Sequence, residues 1–311
     1  MNITKIQSLP LVSAALCLLT AGPAAHAVEG GAPITPFGVF EFGAGMLPPP
    51  SETATVGLRA TSYGASDLRD KSGNRSAVGA NLKVDSVGVA VLRMTDTTLL
   101  GGKYGYSAVV PVLNMGLDLT IPTPGGPIYK SGRNTAVGDI QLVPLMLQWT
   151  PMPGLFTNAS LQLQLPTGSY DKGRLINAGT NHWTVTPTYA FTYITPGGFE
   201  VSSSFQLNFN GRNKATDYRS GIEWQHEFAL GQHFGPWTVG LGGYHYQQLT
   251  DDKSPGLTNG NRARVTALGP AVNFFELGSG LPVVWFHVYK EFNAKNRTQG
   301  TQIALRAAWT F

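Results

Sequence analysis

From Thr53 to the C-terminus, apolar residues return at every second position in runs of about ten, separated by turn-forming residues. That is the period of a strand whose two faces meet different surroundings. The clearest run sets Trp183, Val185, Pro187, Tyr189, Phe191 and Tyr193 on one face and Thr184, Thr186, Thr188, Ala190 and Thr192 on the other. Phe199, Val201, Phe205, Leu207 and Phe209 likewise oppose Glu200, Ser202, Ser204, Gln206 and Asn208, and Leu161, Leu163 and Leu165 oppose Ser160, Gln162 and Gln164. The last run sets Ile303, Leu305, Ala307, Trp309 and Phe311 against Gln302, Ala304, Arg306, Ala308 and Thr310. From Val87 to Met94 both faces are apolar, and Val283 to Phe292 does not declare its sides.

The pattern predicts twelve strands, at 53–63, 84–96, 102–116, 136–150, 155–166, 183–194, 199–209, 218–230, 237–249, 263–275, 283–292 and 301–311. Their connections fall into two alternating classes. Gly101 and its neighbours, Pro151 to Gly154, Thr195 to Gly198, Gly231 to Pro236 and Gly278 to Pro282 are short, whereas 65–82, 117–135, 167–182, 210–217, 250–262 and 293–300 are mostly longer and polar. An even strand count with short turns at one rim and long loops at the other is the layout of an outer-membrane barrel.

A soluble sandwich is the competing all-β fold, and the polar faces separate the two. Outward faces of a sandwich normally carry many Lys and Glu, but here they carry Ser, Thr, Gln and Asn, and only 13% of the chain is Asp, Glu, Lys or Arg. Such faces suit a lumen. Trp149, Trp237, Trp285 and Trp309 fall near a short turn or the C-terminus and Trp183 follows a long loop, as aromatic girdles at two bilayer interfaces require; Trp224 is the exception. In lipid every backbone N–H and C=O must be paired, which strands achieve only in a closed sheet. The expected fold class is therefore all-β, a closed antiparallel transmembrane β-barrel of about twelve strands.

Composition narrows the reading further. Mean hydropathy is −0.04, and no run of 18 apolar residues offers a membrane-spanning helix. The net charge of +4 is spread over single Lys and Arg residues, so no nucleic-acid partner is expected. Residues 1–27 read as a cleavable signal peptide: Lys5, an apolar stretch from Leu9 to Leu19, Pro23, then Ala25-His26-Ala27. The single cysteine, Cys17, lies inside it, which removes disulfides and thiol chemistry from the rest. Residues 28–50 have no period; they form either an N-terminal arm or a plug, in which Phe37, Phe40 and Phe42, with Val39, Met46 and Leu47, would fill the lumen. Residues 51–311 are the barrel.

Several side chains on the polar faces are candidates for lining a solute pathway: Arg59, Asp139, Gln141, Gln162, Gln164, Glu200, Asn208, Arg219, Glu223, Glu227 and Arg306. They would either order a permeating solute by hydrogen bonds and field or solvate and cross-link the lumen. Pairing across the 210–217 loop sets Arg219 near Asn208 and Glu227 opposite Glu200, unless a bulge shifts the register. His182, His226, His233, His245 and His287 show no metal-ligand spacing, so neither a metal nor a cofactor is expected. They read as interfacial or loop residues, with His226 on the apolar face beside Trp224 and Phe228.

The final Trp309-Thr310-Phe311 resembles the C-terminal signal read by the barrel-assembly machinery of Gram-negative bacteria. The chain also resembles the outer-membrane family associated with the meta-cleavage pathway of phenol degradation. The matching residues are Glu29-Gly30-Gly31, Leu47-Pro48-Pro49-Pro50, Gly138-Asp139 with Pro144, Leu165-Pro166-Thr167-Gly168-Ser169-Tyr170-Asp171, Asn181 to Pro187, Asn208 to Gly221, Leu268-Gly269-Pro270 and Tyr289 to Gly300. The resemblance implies a barrel in the bacterial outer membrane, with its lipids, the assembly machinery and small hydrophobic or aromatic solutes as partners. Its implied function is passive, energy-independent uptake of those solutes. The alternatives are a structural or adhesive barrel with a closed lumen and a lipid-modifying outer-membrane enzyme.

Overall fold

The structure, a computed structural model, describes residues 36–257, 260–276 and 278–310. The expected signal peptide, the start of the 28–50 segment and Phe311 lie outside the described residues. Among the described residues there are thirteen strands: β1 (Thr55–Arg69), β2 (Gly79–Leu99), β3 (Gly102–Ile121), β4 (Ile128–Val137), β5 (Gln141–Met152), β6 (Leu155–Gln164), β7 (Thr184–Ile194), β8 (Phe199–Asn210), β9 (Glu223–Phe234), β10 (Trp237–Gln248), β11 (Arg264–Phe274), β12 (Val283–Lys295) and β13 (Arg297–Thr310). All neighbours are antiparallel, and β1 pairs with β13 as well as with β2, so the sheet closes. Twelve strand positions form the wall, and β4 is the extra strand.

The extra strand, β4, occupies most of what the pattern reads as the 117–135 loop, and the predicted run 136–150 is mainly β5, with only Ala136 and Val137 belonging to β4. β5 pairs with the first half of β3, from Lys103 to Val109, and β4 with its second half, from Val112 to Ile121. They share one place in the wall and are interrupted at Gly138-Asp139-Ile140. Among the described residues β4 has no strand on its other side. At ~3.3 Å per residue the 21 residues of β2 span about 70 Å, far more than the ~25 Å apolar band of an outer-membrane barrel. β2, β3 and β4 therefore rise beyond the membrane at the long-loop end. There the outward side chains turn polar: Ser62 donates to Asp85 (2.7 Å), Thr135 to Asn114 (2.9 Å) and Arg133 to Asp118 (2.8 Å).

The predicted strand at 218–230 is also displaced. Residues 211–222 fold into a loop carrying the Asn213–Tyr218 and Arg219–Lys253 bridges, and β9 starts at Glu223. The turn placed at Gly231 to Pro236 shrinks to Gly235-Pro236, because Gly231 to Phe234 stay paired with β10.

The wall is inverted relative to a soluble core. Leu230, Leu241 and Phe205 are exposed on the outside, whereas Glu200, Glu223, Gln225 and Glu227 are at most 2% exposed within. Trp183 and Trp237 are exposed at opposite rims, and Trp149 at the short-turn rim donates Nε1–H to the Leu100 carbonyl (3.1 Å). Trp285 departs from the expected girdle. It turns inward, donating Nε1–H to the Phe42 carbonyl (2.8 Å), with the Arg306 guanidinium 3.9 Å above its ring.

Candidate solute pathway

Residues 37–47 cross the interior, held by side chains from strands on every side. Glu227 on β9 accepts the N–H groups of Gly38 (3.1 Å) and Phe40 (2.6 Å). Opposite, Arg59 on β1 donates to the carbonyls of Phe37 (2.7 Å) and Gly38 (3.2 Å), and Arg306 on β13 donates to that of Val39. The carboxylate thus takes the donors and the guanidinium groups take the acceptors of the same peptides, so each buried charge is compensated through a backbone dipole. Further along, Glu200 accepts Gly43 N–H (2.7 Å), Thr192 accepts Gly45 N–H (2.9 Å), Asn158 donates to Ala44 O (2.9 Å) and Gln148 accepts Leu47 N–H (2.6 Å).

Two glycines permit this docking. Gly38 has φ +69°, a conformation that side chains disfavour, and Gly45 runs so close to the wall that a Cβ would lie 2.3 Å from the Phe156 carbonyl oxygen and the Thr192 nitrogen. Glu41 meets His287 Nδ1 at 2.7 Å, and His287 Nε2 lies 3.0 Å from Gln302 Oε1. His287 is fully buried and is not the interfacial or loop residue the sequence suggested.

Of the residues singled out from sequence, Arg59, Gln141, Gln162, Gln164, Glu200, Asn208, Glu223, Glu227 and Arg306 are on inward strand positions. Glu223 accepts from Asn208 Nδ2 (3.0 Å) and Asn210 Nδ2 (3.2 Å). Glu227 and Glu200 do not face each other. The register puts Glu227 across from Ser204 and Glu200 across from Gly231, because β9 begins later than its alternation suggests. Glu200 instead meets His233 Nε2 at 2.7 Å. Arg219 is exposed in the 211–222 loop, where its Nε donates to Asn210 O (2.9 Å), so it faces no lumen from a strand.

Asp139 also sits off the strands, in the break between β4 and β5. Its carboxylate accepts Gly168 N–H (2.8 Å), Thr180 N–H (2.8 Å), the Thr180 hydroxyl (2.7 Å) and Gln164 Nε2 (3.2 Å). These bonds fasten the 165–183 loop to the break, and Ile176 of that loop packs with Leu68, Ala80, Met115, Leu117 and Leu119 on the inner face of the long strands. The loop thus covers a buried apolar cluster at the long-loop end.

Beside Tyr63 and Tyr244 lies a group that the sequence pattern does not mark. Glu291 accepts the Tyr63 hydroxyl (2.7 Å), the Tyr244 hydroxyl (2.8 Å), Arg297 Nη2 (3.2 Å) and Gly300 N–H (2.7 Å). Gly242, Tyr244, Tyr246 and Gln248 share one face at period two, which is the signal by which Tyr244 and Tyr246 were findable. Glu291 and Arg297 carry no such mark. On the outer wall, His226 stacks flat on Phe205 (4.7 Å) and its Nε2 lies 2.8 Å from Ser203 Oγ. No Asp or Asn among the described residues is hydrogen-bonded to that imidazole.

A closed antiparallel barrel with an apolar exterior and a polar interior is an outer-membrane β-barrel. The chain belongs to the family described as "Putative MetA-pathway of phenol degradation", whose model matches residues 65–307. No curated protein matches its sequence. Among solved structures it is similar to the COG4313 outer membrane channel from Pseudomonas putida F1, with 14% identity over 90% of this chain and 100% of that one and a TM-score of 0.71. The beta domain of the Bordetella autotransporter BrkA matches with 12% identity over 84% and 100% of the two chains and a TM-score of 0.48. For the CymD monoaromatic hydrocarbon channel the figures are 10% identity, 86% and 89%, and 0.41.

Proposed function

We propose that the protein is a passive channel through which small aromatic or hydrophobic compounds cross the outer membrane, and that residues 37–47 are a removable plug. The observation that carries this reading is the way the segment is held. Side chains of the wall bind it, and it adds no strand to the sheet, so it can leave without opening the barrel. Phe42, fully buried, packs against Gly231 near the short-turn end of the lumen, and Phe37 packs against Tyr244 and Tyr246. The buried apolar cluster under Ile176 offers a hydrophobic solute a surface once the 165–183 loop moves, and the family's link to phenol degradation supports an aromatic cargo. Arg59, Glu200, Glu227 and Arg306 line the path once the plug has moved.

In this reading residues 1–27 direct export, and Trp309 with Phe311 forms the signal for the assembly machinery. The Ser203–His226 contact on the lipid-facing wall is the one observation favouring a lipid enzyme. Without a partner orienting the imidazole it lacks the geometry of an activated nucleophile.

The test is uptake of labelled aromatic compounds into vesicles with and without the refolded barrel, repeated after deletion of residues 28–50. Barrel-dependent uptake that prefers apolar solutes and rises on deletion is expected. Absence of uptake with both forms refutes the channel and favours a structural barrel.

A further inference from the structure

Phe37 does not simply fill space. Its ring stacks on Tyr244 at 4.5 Å between centroids and 29° between planes, lies 5.3 Å from Tyr246, and has the Arg297 guanidinium carbon 5.2 Å from its centroid. It is 3% exposed. The walls of this box belong to the barrel, with the tyrosines on β10 and Arg297 on β13, and Glu291 fixes Tyr244 and Arg297 by hydrogen bonds. The occupant comes from the crossing segment. One stacked ring, one tilted ring and a cation around a single ring are the elements by which a planar aromatic molecule is recognised.

A second observation bears on the polarity of what the box would take. The Tyr246 hydroxyl is buried and has no hydrogen-bond partner among the described residues. A phenylalanine ring offers it none, and an unsatisfied buried hydroxyl is costly where packing is the only purpose. A ligand whose hydroxyl reached it would answer it.

We propose that the box of Tyr244, Tyr246 and Arg297 is a binding site for single-ring hydroxyaromatic compounds, and that Phe37 is a tethered stand-in which such a ligand displaces. The proposal rests on the channel reading and adds to it a site and a rule: ligand in the box and Phe37 in the box exclude each other. Solute binding thereby weakens the hold on the plug.

The experiment titrates 4-fluorophenol onto the refolded full chain, followed by fluorine NMR, for wild type, Phe37→Ala and Phe37→Leu. A tethered competitor acts at an effective concentration in the millimolar range, so its removal raises affinity about tenfold or more. Phe37→Leu keeps apolar bulk without the ring and guards against collapse of an emptied box; it too binds more tightly than wild type. In the Phe37→Ala background, Tyr246→Phe abolishes the preference for 4-fluorophenol over fluorobenzene. Equal affinities in wild type and both Phe37 variants overturn the proposal. Uptake into lipopolysaccharide-coated vesicles is measured in parallel. Uptake without any change in affinity removes the site and leaves the channel, whereas tighter binding without uptake keeps the site and removes the channel.

Discussion

Replacing Glu227 by Gln tests whether wall side chains alone hold the plug. The carboxylate accepts two backbone N–H groups, from Gly38 and Phe40. A hydrogen bond to a charged group contributes about 1.5–3 kcal/mol, and a neutral one about 1. The amide retains one acceptor oxygen and turns its NH2 toward the second donor, so one bond is lost and the other becomes neutral. Docking is then weaker by about 2–4 kcal/mol, which raises the undocked fraction about 30- to 1,000-fold. Two readouts follow the change. Single-channel recording counts openings, with the 28–50 deletion as ceiling. A cysteine placed by Val39→Cys reports exposure to a membrane-impermeant maleimide, with Cys17 as the chain's only other cysteine. If Glu227→Gln opens and labels within about twofold of wild type while the deletion opens fully, the argument from these two bonds is refuted.

Gly45→Ala forces a Cβ against the Phe156 carbonyl and the Thr192 nitrogen, so channel opening should rise while the melting temperature of the barrel stays the same; unchanged current would contradict the close approach. Asp139→Ala leaves the N–H groups of Gly168 and Thr180 without their acceptor and weakens the loop by about 2–4 kcal/mol. Trypsin should then cut faster at Lys172 and Arg174, and an unaltered rate argues against this anchor. Leu241→Arg puts a cation on the lipid-facing wall, where such a charge costs about 2–4 kcal/mol near the midplane. Denaturant unfolding in vesicles measures it, and no loss of stability would place Leu241 outside the bilayer.

The sequence reveals the wall where its two faces meet different media. Val185 and Phe205 alternate with Thr186 and Gln206 because one set touches lipid and the other the lumen. β4 escapes the pattern: Ile128 to Val137 stands beyond the bilayer, with Lys130, Ser131, Arg133 and Asn134 in place of an apolar face, and reads as loop. The interruption at Gly138-Asp139 is hidden because the alternation resumes after it. Ahead of β9, Tyr218, Ser220 and Ile222 keep enough of the period to be taken for strand, and only the bridges of the 211–222 loop set the true start. Inside the barrel, Trp285 and His287 face inward toward partners more than 240 positions away, Phe42 and Glu41. No local period carries such a contact, whereas the charged residues that sit among small polar neighbours, such as Glu200 and Glu227, show their lumen side directly.

The dock of the crossing segment straddles the seam where the first and last strands of the wall meet: Arg59 belongs to β1 and Arg306 to β13, and both grip the peptides between Phe37 and Val39. During biogenesis this half of the dock does not exist until the final strand has been delivered and zipped to the first. A sheet still open at the seam leaves those peptides without two of their clamps, and loop-closure entropy makes this longest-range pairing the slowest to form. The order of events is thereby imposed by geometry, with the wall closed before the crossing segment is fully docked. Protease protection around Val39 would accordingly serve as a clock for barrel completion, and a chain truncated before β13 would expose its own stopper as a mark of failed assembly.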